Sequence, residues 1–323
     1  MTTYKAPLRD MQFVMQDLLN FEKHYQSLPD CEEVNQELID AILGEASKFS
    51  EEVIGPLNAI GDEVGCKRLE NGDVVTAPGF KDAYKQYIDG GWPSLDQPAH
   101  YGGQDLPMSI GLPIREMNGT ANWSWAMYPG LSHGAMETID KHGSEAQKAM
   151  FMEPLVSGSW TGTMCLTEAH CGTDLGLLKC KAAQAADGTY HVTGSKLFVS
   201  SGEHDLAENI VHIVLARLPD SPPGTKGISL FIVPKFIPNE DGSIGERNNV
   251  SCGALEHKMG IHGNSTCLLN FDGATGYLVG EENKGLHYMF TFMNFARLGT
   301  GLQGLAHSEL AFQNSLAYAR DRL

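Results

Sequence analysis

The chain has little positive charge and no long apolar run. Its 323 residues include 23 Lys and Arg against 40 Asp and Glu, which gives a formal net charge of -17. A surface of this charge repels nucleic acid and anionic lipid, and no run approaches the roughly 18 apolar residues that a membrane-spanning helix needs. We therefore expect neither a nucleic acid nor a membrane as partner. Any anionic ligand must be held by local N–H groups and a few basic side chains.

Cysteine is scarce as well. The seven cysteines are odd in number and scattered along the chain, which is not the pattern of a disulfide framework. The opening MTTYKAPLRDMQF has no apolar segment of the kind that secretory signals contain. Both absences favour a reducing compartment, and we expect a cytoplasmic protein.

Hydrophobic periodicity divides the chain into three parts. Apolar residues recur at helical spacing over most of residues 1–158, so this part is predicted to be mainly helical. Residues 159–283 contain short β-branched runs separated by turn residues, which predict a β domain. The helical period returns in residues 284–323 and continues without proline, which predicts one long amphipathic helix.

Two features of the predicted β domain concern its connections. Asp187-Gly188 is a dipeptide typical of hairpin turns. The polar insertion NEDGSIGERNN, residues 239–249, is expected to be a surface excursion.

Two motifs suggest a dinucleotide-binding site and a zinc site, and both are rejected. Gly299–Gly304 matches the G-x-G-x-x-G pattern of dinucleotide-binding folds, but that pattern needs a preceding strand, and these glycines lie inside a helical period. We expect them to admit a neighbouring helix. Cys252, Cys267, His257 and His262 are residue types that bind zinc, but their spacing fits no common ligand pattern. Cys267 is predicted to be a packed thiol.

The segment MCLTEAHCGTD, residues 164–174, is more informative. A strand runs directly into a turn of hydroxyl and glycine residues, so that several N–H and O–H donors are presented together. Such a turn suits the pyrimidine edge of a flavin or a pyrophosphate, and it is equally compatible with a purely structural turn.

The same segment begins a resemblance to a known family. LTEAHCGTD, GSKLFVSSG and GISLFIVPK occur in the order in which acyl-CoA dehydrogenases have T-E-x-x-x-G-[ST]-D, G-x-K-x-[WF]-[IV]-[ST]-x-[GA] and the following strand. EHKMGIHGNSTCLLNFDG, LVGEENKGLHYMF and FARLGTGLQGLA match later parts, so the resemblance spans roughly residues 90–323. It implies an α+β fold with an N-terminal helical domain, a middle β-barrel-like domain and the first helix of a C-terminal helical bundle.

The resemblance also implies FAD as the cofactor. The residues expected to contact it are Leu166, Thr167, Gly172, Thr173, Phe198, Val199 and Ser200. Of these, Leu166 and Thr167 are expected near the flavin pyrimidine, and Ser200 near flavin N5. Phe198 stands where the family commonly has Trp, so an aromatic face is kept while the indole N–H is lost.

An acyl-CoA substrate is implied together with residues around it. Arg297 is expected to help organise the thioester region, and the alternative is an ordinary ion pair on the helix surface. Thr173 is also assigned to the substrate site. Tyr128, Ser132 and His133 are expected to line the acyl pocket, with a core or loop role as the alternative.

The implied reaction needs a catalytic base, and this sequence offers none. In this family a carboxylate removes the α-proton of the thioester while the β-hydride passes to flavin, which gives a trans-2-enoyl-CoA. The usual base lies beyond the position of Leu323, and the minority position, immediately before Arg297, is Ala296. Glu281, Glu282 and Glu309 are not placed to act as the base. We therefore expect a truncated C-terminus and no catalytic base in this chain.

Three functional hypotheses follow. The first is an FAD-dependent acyl-CoA dehydrogenase seen incompletely, with electron-transfer flavoprotein as acceptor and a homodimer or homotetramer as assembly. The opening segment and the 239–249 insertion resemble a branch that acts on 3-(methylthio)propionyl-CoA, in dimethylsulfoniopropionate breakdown, and on ordinary acyl-CoAs of fatty acid metabolism. The second is a non-catalytic remnant that binds flavin and acyl-CoA, and the third is an acyl-CoA oxidase. The intact motifs favour the first.

Overall fold

The computed structural model describes residues 4–29 and 31–322. Its N-terminal half is helical, as predicted. The α-helices are α1 (Leu8–Gln12), α2 (Phe21–Tyr25), α3 (Gln36–Lys48), α4 (Leu57–Val64), α5 (Phe80–Asp89), α6 (Met108–Ala121), α7 (Trp123–His142) and α8 (Glu145–Val156). Short π-helical segments, Phe13–Leu18 and Phe49–Ile54, continue α1 and α3. A small hairpin of β1 (Lys67–Arg68) and β2 (Val74–Val75) stands between α4 and α5.

Side-chain caps fix where the central helices begin. Asn122 is the single residue between α6 and α7, and its side chain accepts a hydrogen bond from Trp125 N at 3.1 Å. Ser144 and Gln147 form a reciprocal capping box at the start of α8. Such caps satisfy N–H groups that a helix leaves without partners. The abrupt turn at Asn122 sets the relative direction of the two helices that later form a crevice.

The middle of the chain forms the predicted β domain. Its strands are β3 (Trp160–Cys165), β4 (Lys181–Gln184), β5 (Tyr190–Val199), β6 (Asn209–Ala216), β7 (Ser229–Pro234), β8 (Phe236–Pro238), β9 (Ile244–Arg247), β10 (Val250–Leu255) and β11 (Cys267–Val279). The main sheet has the order β3-β6-β7-β11-β5-β4, with β10 paired to β11. The β3–β6 pair is parallel, and the other pairs are antiparallel.

The sheet curls back on itself. Ala182 N in β4 donates to Arg217 O, just after β6, at 2.8 Å, and Arg217 N donates to Cys180 O at 2.8 Å. These bonds join one edge of the sheet to a strand near its other edge, which gives the barrel-like shape that the resemblance implied. Asp187 and Gly188 lie in the β4–β5 hairpin turn as predicted.

The insertion at 239–249 differs from its prediction as a plain surface excursion. Ile244–Arg247 is strand β9, which pairs with Phe236–Pro238 in an antiparallel hairpin. The sequence pattern hid this strand because it is short and mostly exposed, so it has no alternation of buried and exposed residues. For the same reason β4 did not stand out. Strand β10 was also missed, although Val250 and Cys252 in it alternate with exposed residues.

The chain returns to helix in α9 (Gly285–Asp321), which has 37 residues and includes Gly299, Gly301 and Gly304. The rejection of a dinucleotide-binding turn is therefore confirmed. Nothing in the described chain lies within 4 Å of where a Cβ would stand on any of these three glycines, so the neighbouring helix expected there stays a prediction. The proposed boundaries after 158 and 283 stay predictions as well.

Two glycines allow close packing around α7. A Cβ at Gly134 would collide with the ring of Phe292 in α9, and a Cβ at Gly162 in β3 would collide with Ala135 in α7. The helix thus lies between the β domain and α9 with no room for a side chain at either contact. None of the described helices, α9 included, combines the length and apolar character needed to cross a membrane.

Two histidines are buried in the β domain as neutral hydrogen-bonded groups. His204 Nε2 lies 3.0 Å from Thr161 Oγ1, and His212 Nδ1 lies 2.7 Å from Thr163 Oγ1. Burial and the nearby charge of Lys235 lower the pKa of His204 to about 3 and the pKa of His212 to about 3. Both rings therefore resist protonation in the folded state.

We predict that acid destabilises this fold partly through these rings. An unfolded histidine takes a proton near its ordinary pKa of about 6.5, so the stability contributed by a ring of depressed pKa is full above that pH and is lost as the pH falls toward the folded value. His212→Asn should make the free energy of unfolding fall less steeply with acid, by up to about 1.4 kcal/mol per pH unit. Urea unfolding at several pH values measures this slope.

His307→Asn, on the exposed side of α9, is the control and should leave the slope unchanged. Parallel pH dependences for the wild type and His212→Asn would contradict the prediction.

Candidate functional site

Two loops that carry the singled-out motifs lie side by side in the β domain. Loop A, residues 166–174, follows β3, and loop B, residues 198–202, begins at the end of β5. Leu197 N donates to Thr167 O at 2.8 Å, which fastens the end of β5 to the start of loop A. The two loops, which together contain all seven residues that were predicted to hold a cofactor, are therefore joined at this point.

A buried ion pair holds the two loops together. The side chain of Lys196 is fully buried, and its Nζ donates to Glu168 Oε1 at 2.9 Å and to Leu166 O at 3.0 Å. The Glu168 carboxylate also accepts from Lys179 N at 2.8 Å and from Cys180 N at 2.9 Å. Although burial raises it, the Lys196 charge and these N–H groups hold the pKa of Glu168 below its ordinary value.

Sequence reasoning assigned neither Glu168 nor Lys196 a role. The sequence nevertheless pointed to them, because Glu168 is the glutamate of the motif LTEAHCGTD and Lys196 is the lysine of the motif GSKLFVSSG. A glutamate and a lysine that sit between strand-forming residues on two different segments are candidates for a buried pair, since single buried charges are rarely tolerated.

Loop B holds its backbone in an uncommon conformation. Phe198 has φ +55° and Ser201 has φ +54°, the left-handed region that costs a residue with a side chain roughly 1–2 kcal/mol. The turn at Phe198 leaves its ring 55% exposed at the end of a strand. Such strain persists only where neighbouring contacts impose it, and it is often found at ligand sites.

Asn264 supplies those contacts. Its Oδ1 accepts from Ser201 N at 3.0 Å, and its Nδ2 donates to Ser201 Oγ at 2.9 Å and to Ser124 O in α7 at 3.3 Å. One side chain thus fixes loop B and ties it to the helical region.

The groups that the loops leave accessible are chemically suited to the expected FAD. The hydroxyl residues Thr167, Thr173 and Ser200 are partly or fully exposed, beside the open ring of Phe198. Hydroxyl donors next to an aromatic face can hold a flat polar ring, and small turn residues leave N–H groups within reach of phosphate. The side chain of Val199 is buried, so only its main chain can face a ligand.

A separate crevice of about 240 Å³ lies between α6, α7 and α9. Its walls are mostly apolar. The residues that line it are Arg115, Asn118, Trp123, Ala126, Met127, Pro129, Gly130, Leu131, His133, Ile261, Phe292, Phe295, Ala296, Gly299, Thr300, Leu302 and Gln303. No carboxylate is among these lining residues of the described chain.

One end of the crevice is polar. Arg115 pairs with the buried carboxylate of Asp96, and its guanidinium carbon lies 5.4 Å from the centre of the Phe295 ring. The His133 ring stacks on the same Phe295 ring at 5.6 Å, and Gln97 Nε2 lies 3.2 Å from His133 Nδ1. The crevice therefore has apolar walls and a hydrogen-bonded charged group at one end.

The residues predicted to line the acyl pocket are placed differently from one another. His133 lines the crevice, whereas Tyr128 and Ser132 have their hydroxyls bonded inside the fold. Tyr128 Oη accepts from Ser265 N at 2.9 Å, and Ser132 Oγ accepts from Gly162 N at 3.0 Å. Their roles toward a substrate stay predictions.

The helix α9 contributes Ala296 to the crevice and leaves Arg297 outside it. Arg297 is exposed and donates to Asn294 Oδ1 at 3.0 Å, so its assignment to the thioester region also stays a prediction. Glu281 and Glu282 are exposed before α9. Glu309 accepts from Gln313 Nε2 at 2.7 Å.

Comparison with protein families gives two matches that together span most of the chain. Residues 40–159 match the family model of the acyl-CoA dehydrogenase N-terminal domain, and residues 163–274 match that of the acyl-CoA dehydrogenase middle domain.

Individual proteins agree with these matches. The 3-methylmercaptopropionyl-CoA dehydrogenase of Ruegeria pomeroyi is 46% identical over 99% of this chain and 54% of the relative. A butyryl-CoA dehydrogenase of Syntrophomonas wolfei is 37% identical over 99% of this chain and 54% of the relative. The chain thus spans about half the length of the curated relatives it matches. A solved acyl-CoA dehydrogenase from Bacillus anthracis, complexed with FAD, is similar with a TM-score of 0.72 and 25% identity, covering 90% of this chain and 45% of that one.

The buried pair predicts a large effect of removing one charge. Glu168→Ala leaves Lys196 charged and unpaired in the interior, which should lower the free energy of unfolding by about 3–5 kcal/mol. The double variant Glu168→Ala/Lys196→Met removes both charges, and it should lower the free energy of unfolding by clearly less. Urea unfolding of the two variants measures the difference.

Asp89→Ala is the control, because Asp89 pairs with Lys85 on the exposed side of α5 and such pairs contribute at most about 1 kcal/mol. A Glu168→Ala variant no less stable than Asp89→Ala would show that the buried pair does not hold the loops.

Proposed function

The chain belongs to the acyl-CoA dehydrogenase family, and on that premise we propose that it serves the FAD-dependent α,β-dehydrogenation of an acyl-CoA thioester to a trans-2-enoyl-CoA. The observation that carries the proposal is the fastening of loop A to loop B by Glu168 and Lys196. This pair presents the hydroxyls of one loop and the aromatic ring of the other on one edge of the β domain.

FAD, when bound, supplies the acceptor for the β-hydride. The chain's own residues hold and orient it. Thr167 and Ser200 offer hydroxyl donors to the flavin ring, Phe198 offers an aromatic face, and Gly172 with Thr173 offers N–H and O–H groups to the pyrophosphate. The solved FAD complex of the Bacillus anthracis relative supports FAD as the cofactor.

The crevice between α6, α7 and α9 is the proposed acyl site. Its apolar walls exclude water from the acyl chain, which strengthens any electrostatic interaction with the reacting thioester. Its volume of about 240 Å³ equals about eight waters at ~30 Å³ each, which suits an acyl group of a few heavy atoms. The names of the two curated relatives, which specify a methylthio-substituted and a four-carbon acyl group, support a short-chain substrate.

The base is proposed to lie outside this chain. No carboxylate lines the crevice within residues 4–29 and 31–322, and Ala296 occupies the one position on α9 where a minority of the family would have it. We assign α-proton removal to a glutamate in the portion of the relatives' length that this chain does not span.

The same proposal includes a substrate, an electron acceptor and an oligomeric assembly. We assign 3-(methylthio)propionyl-CoA as a substrate, electron-transfer flavoprotein as the electron acceptor, and a homodimer or homotetramer as the assembly. All seven cysteines are free thiols, which is compatible with the reducing cytoplasm that we propose as its location.

The non-catalytic remnant is not favoured, because both motifs retain the residues that fasten the loops.

We predict that Ser200→Ala weakens FAD binding. Loss of one hydrogen bond to the flavin should raise the dissociation constant by about 2- to 12-fold, measured by titrating flavin fluorescence with the intact protein of the native gene. Ser195→Ala is the matched control, because Ser195 lies in β5, the strand that leads into loop B, and its hydroxyl donates to Asn270 Oδ1 at 2.7 Å. Equal weakening by both variants would contradict the placement of FAD at loop B.

We predict that 3-(methylthio)propionyl-CoA and butyryl-CoA each bleach the flavin of the intact protein in the absence of oxygen. Palmitoyl-CoA should bleach it more slowly, because its chain exceeds the crevice. Stopped-flow absorbance in the flavin bands measures all three. Failure of every acyl-CoA to bleach the flavin would overturn the dehydrogenase proposal, and rapid reoxidation by oxygen with release of peroxide would favour an oxidase.

A further inference from the structure

The polar end of the crevice is built around a single charged side chain. Among the crevice-lining residues of the described chain, Arg115 alone carries a permanent charge. Behind it stands Asp96, whose side chain is 3% exposed and accepts from Arg115 Nη2. Gly111 in α6 makes room for the pair, since a Cβ there would collide with the Asp96 carboxylate and lie 3.2 Å from Arg115 Nη1.

The charges at this end cancel. Burial opposes ionisation of Asp96, but His133 in its protonated form at low pH and the permanent charge of Arg115 lower the pKa of its carboxyl below the ordinary value, so the carboxyl is ionised at neutral pH. Burial and the Arg115 charge lower the pKa of His133 to about 4, so this ring is neutral there. Glu137 lies one turn beyond His133 and is exposed. It adds no positive charge to this end of the crevice. The Arg115–Asp96 pair as a whole thus has no net positive charge.

We propose that Asp96 determines the specificity of the acyl site: by neutralising Arg115, it makes the crevice accept uncharged acyl termini and reject acyl groups that end in a carboxylate. The inference rests on the proposed function, since it concerns the same crevice. Asp96 does not line the crevice and acts through Arg115, so it is a positioning residue.

Physical chemistry gives the direction of the effect. A carboxylate that enters a largely apolar crevice loses its hydration, and only a net positive charge can offset that loss. The positive charge of Arg115 is offset by the Asp96 carboxylate that is bound to its Nη2. The Phe295 ring, against which both His133 and Arg115 pack, offers instead a polarisable surface that favours a methyl group or a thioether sulfur.

The test measures binding of two ligands of similar length. Butyryl-CoA ends in a methyl group, and glutaryl-CoA ends in a carboxylate. Calorimetry on the intact FAD-loaded protein, with its flavin chemically reduced so that neither ligand can be oxidised, gives two dissociation constants and their ratio. For the wild type we expect butyryl-CoA to bind and glutaryl-CoA to bind much more weakly.

Asp96→Asn frees the positive charge of Arg115 and should shift the ratio toward glutaryl-CoA by about 10- to 100-fold. Arg115→Gln leaves Asp96 unpaired and should shift it further toward butyryl-CoA. The double variant Asp96→Asn/Arg115→Gln is again uncharged and should return to the wild-type ratio, which a purely structural role of Asp96 would not produce.

Glu203→Gln is the matched control, because it breaks a comparably buried pair with Lys235 in the β domain and should leave the ratio unchanged. If Asp96→Asn does not fold, the ratios of dissociation constants measured for Arg115→Gln and for the double variant still test the inference. Variants that bind butyryl-CoA with an unchanged ratio would overturn this inference and leave the proposed function standing. Failure of the wild type to bind either ligand would overturn the proposed function itself.

Discussion

The ion pair between Glu168 and Lys196 is the constraint on which the candidate site depends. The two residues are 28 positions apart, on segments that are otherwise joined by the hydrogen bond from Leu197 N to Thr167 O. Removing both charges from water is costly, and the pair is tolerated because Glu168 also accepts two backbone N–H groups and Lys196 also donates to a carbonyl. These hydrogen bonds fix the position of loop A relative to β5. The hydroxyls and the aromatic ring that face a ligand follow from that position.

A second constraint forms the crevice, and it is steric. Glycine at 134 lets the Phe292 ring of α9 lie against α7, and glycine at 162 lets α7 lie against β3. Close contact on both sides fixes the distance between α7 and α9, and the crevice is the space left over beside Phe292. Asn264 connects the two regions, since it bonds to loop B and to the helix that lines the crevice. Loops A and B and the crevice are therefore parts of one packed arrangement.

The sequence allowed much of the fold to be predicted, because periodicity reports burial over long segments. The helical first part, the strands from Trp160 onward and the long last helix all followed from it. It failed for β9, which is short and exposed and so carries no alternation. The candidate site could be located from the sequence where motifs are contiguous, as in loops A and B, and the roles assigned there stay predictions. It was not predictable at Asp96 and Arg115, which lie 19 residues apart on a loop and a helix and meet only through tertiary packing. For Tyr128, residue type suggested a pocket, but the fold uses its hydroxyl to bond the main chain of Ser265.

The central claim is that loops A and B form the FAD site, and hydrogen–deuterium exchange of the intact protein with and without FAD tests it most directly. Exchange reports the local protection of backbone N–H groups. The account predicts that FAD slows exchange in residues 166–174 and 198–202 and leaves the β8–β9 hairpin unchanged. Bound FAD that slows exchange elsewhere while leaving both loops unaffected would contradict it.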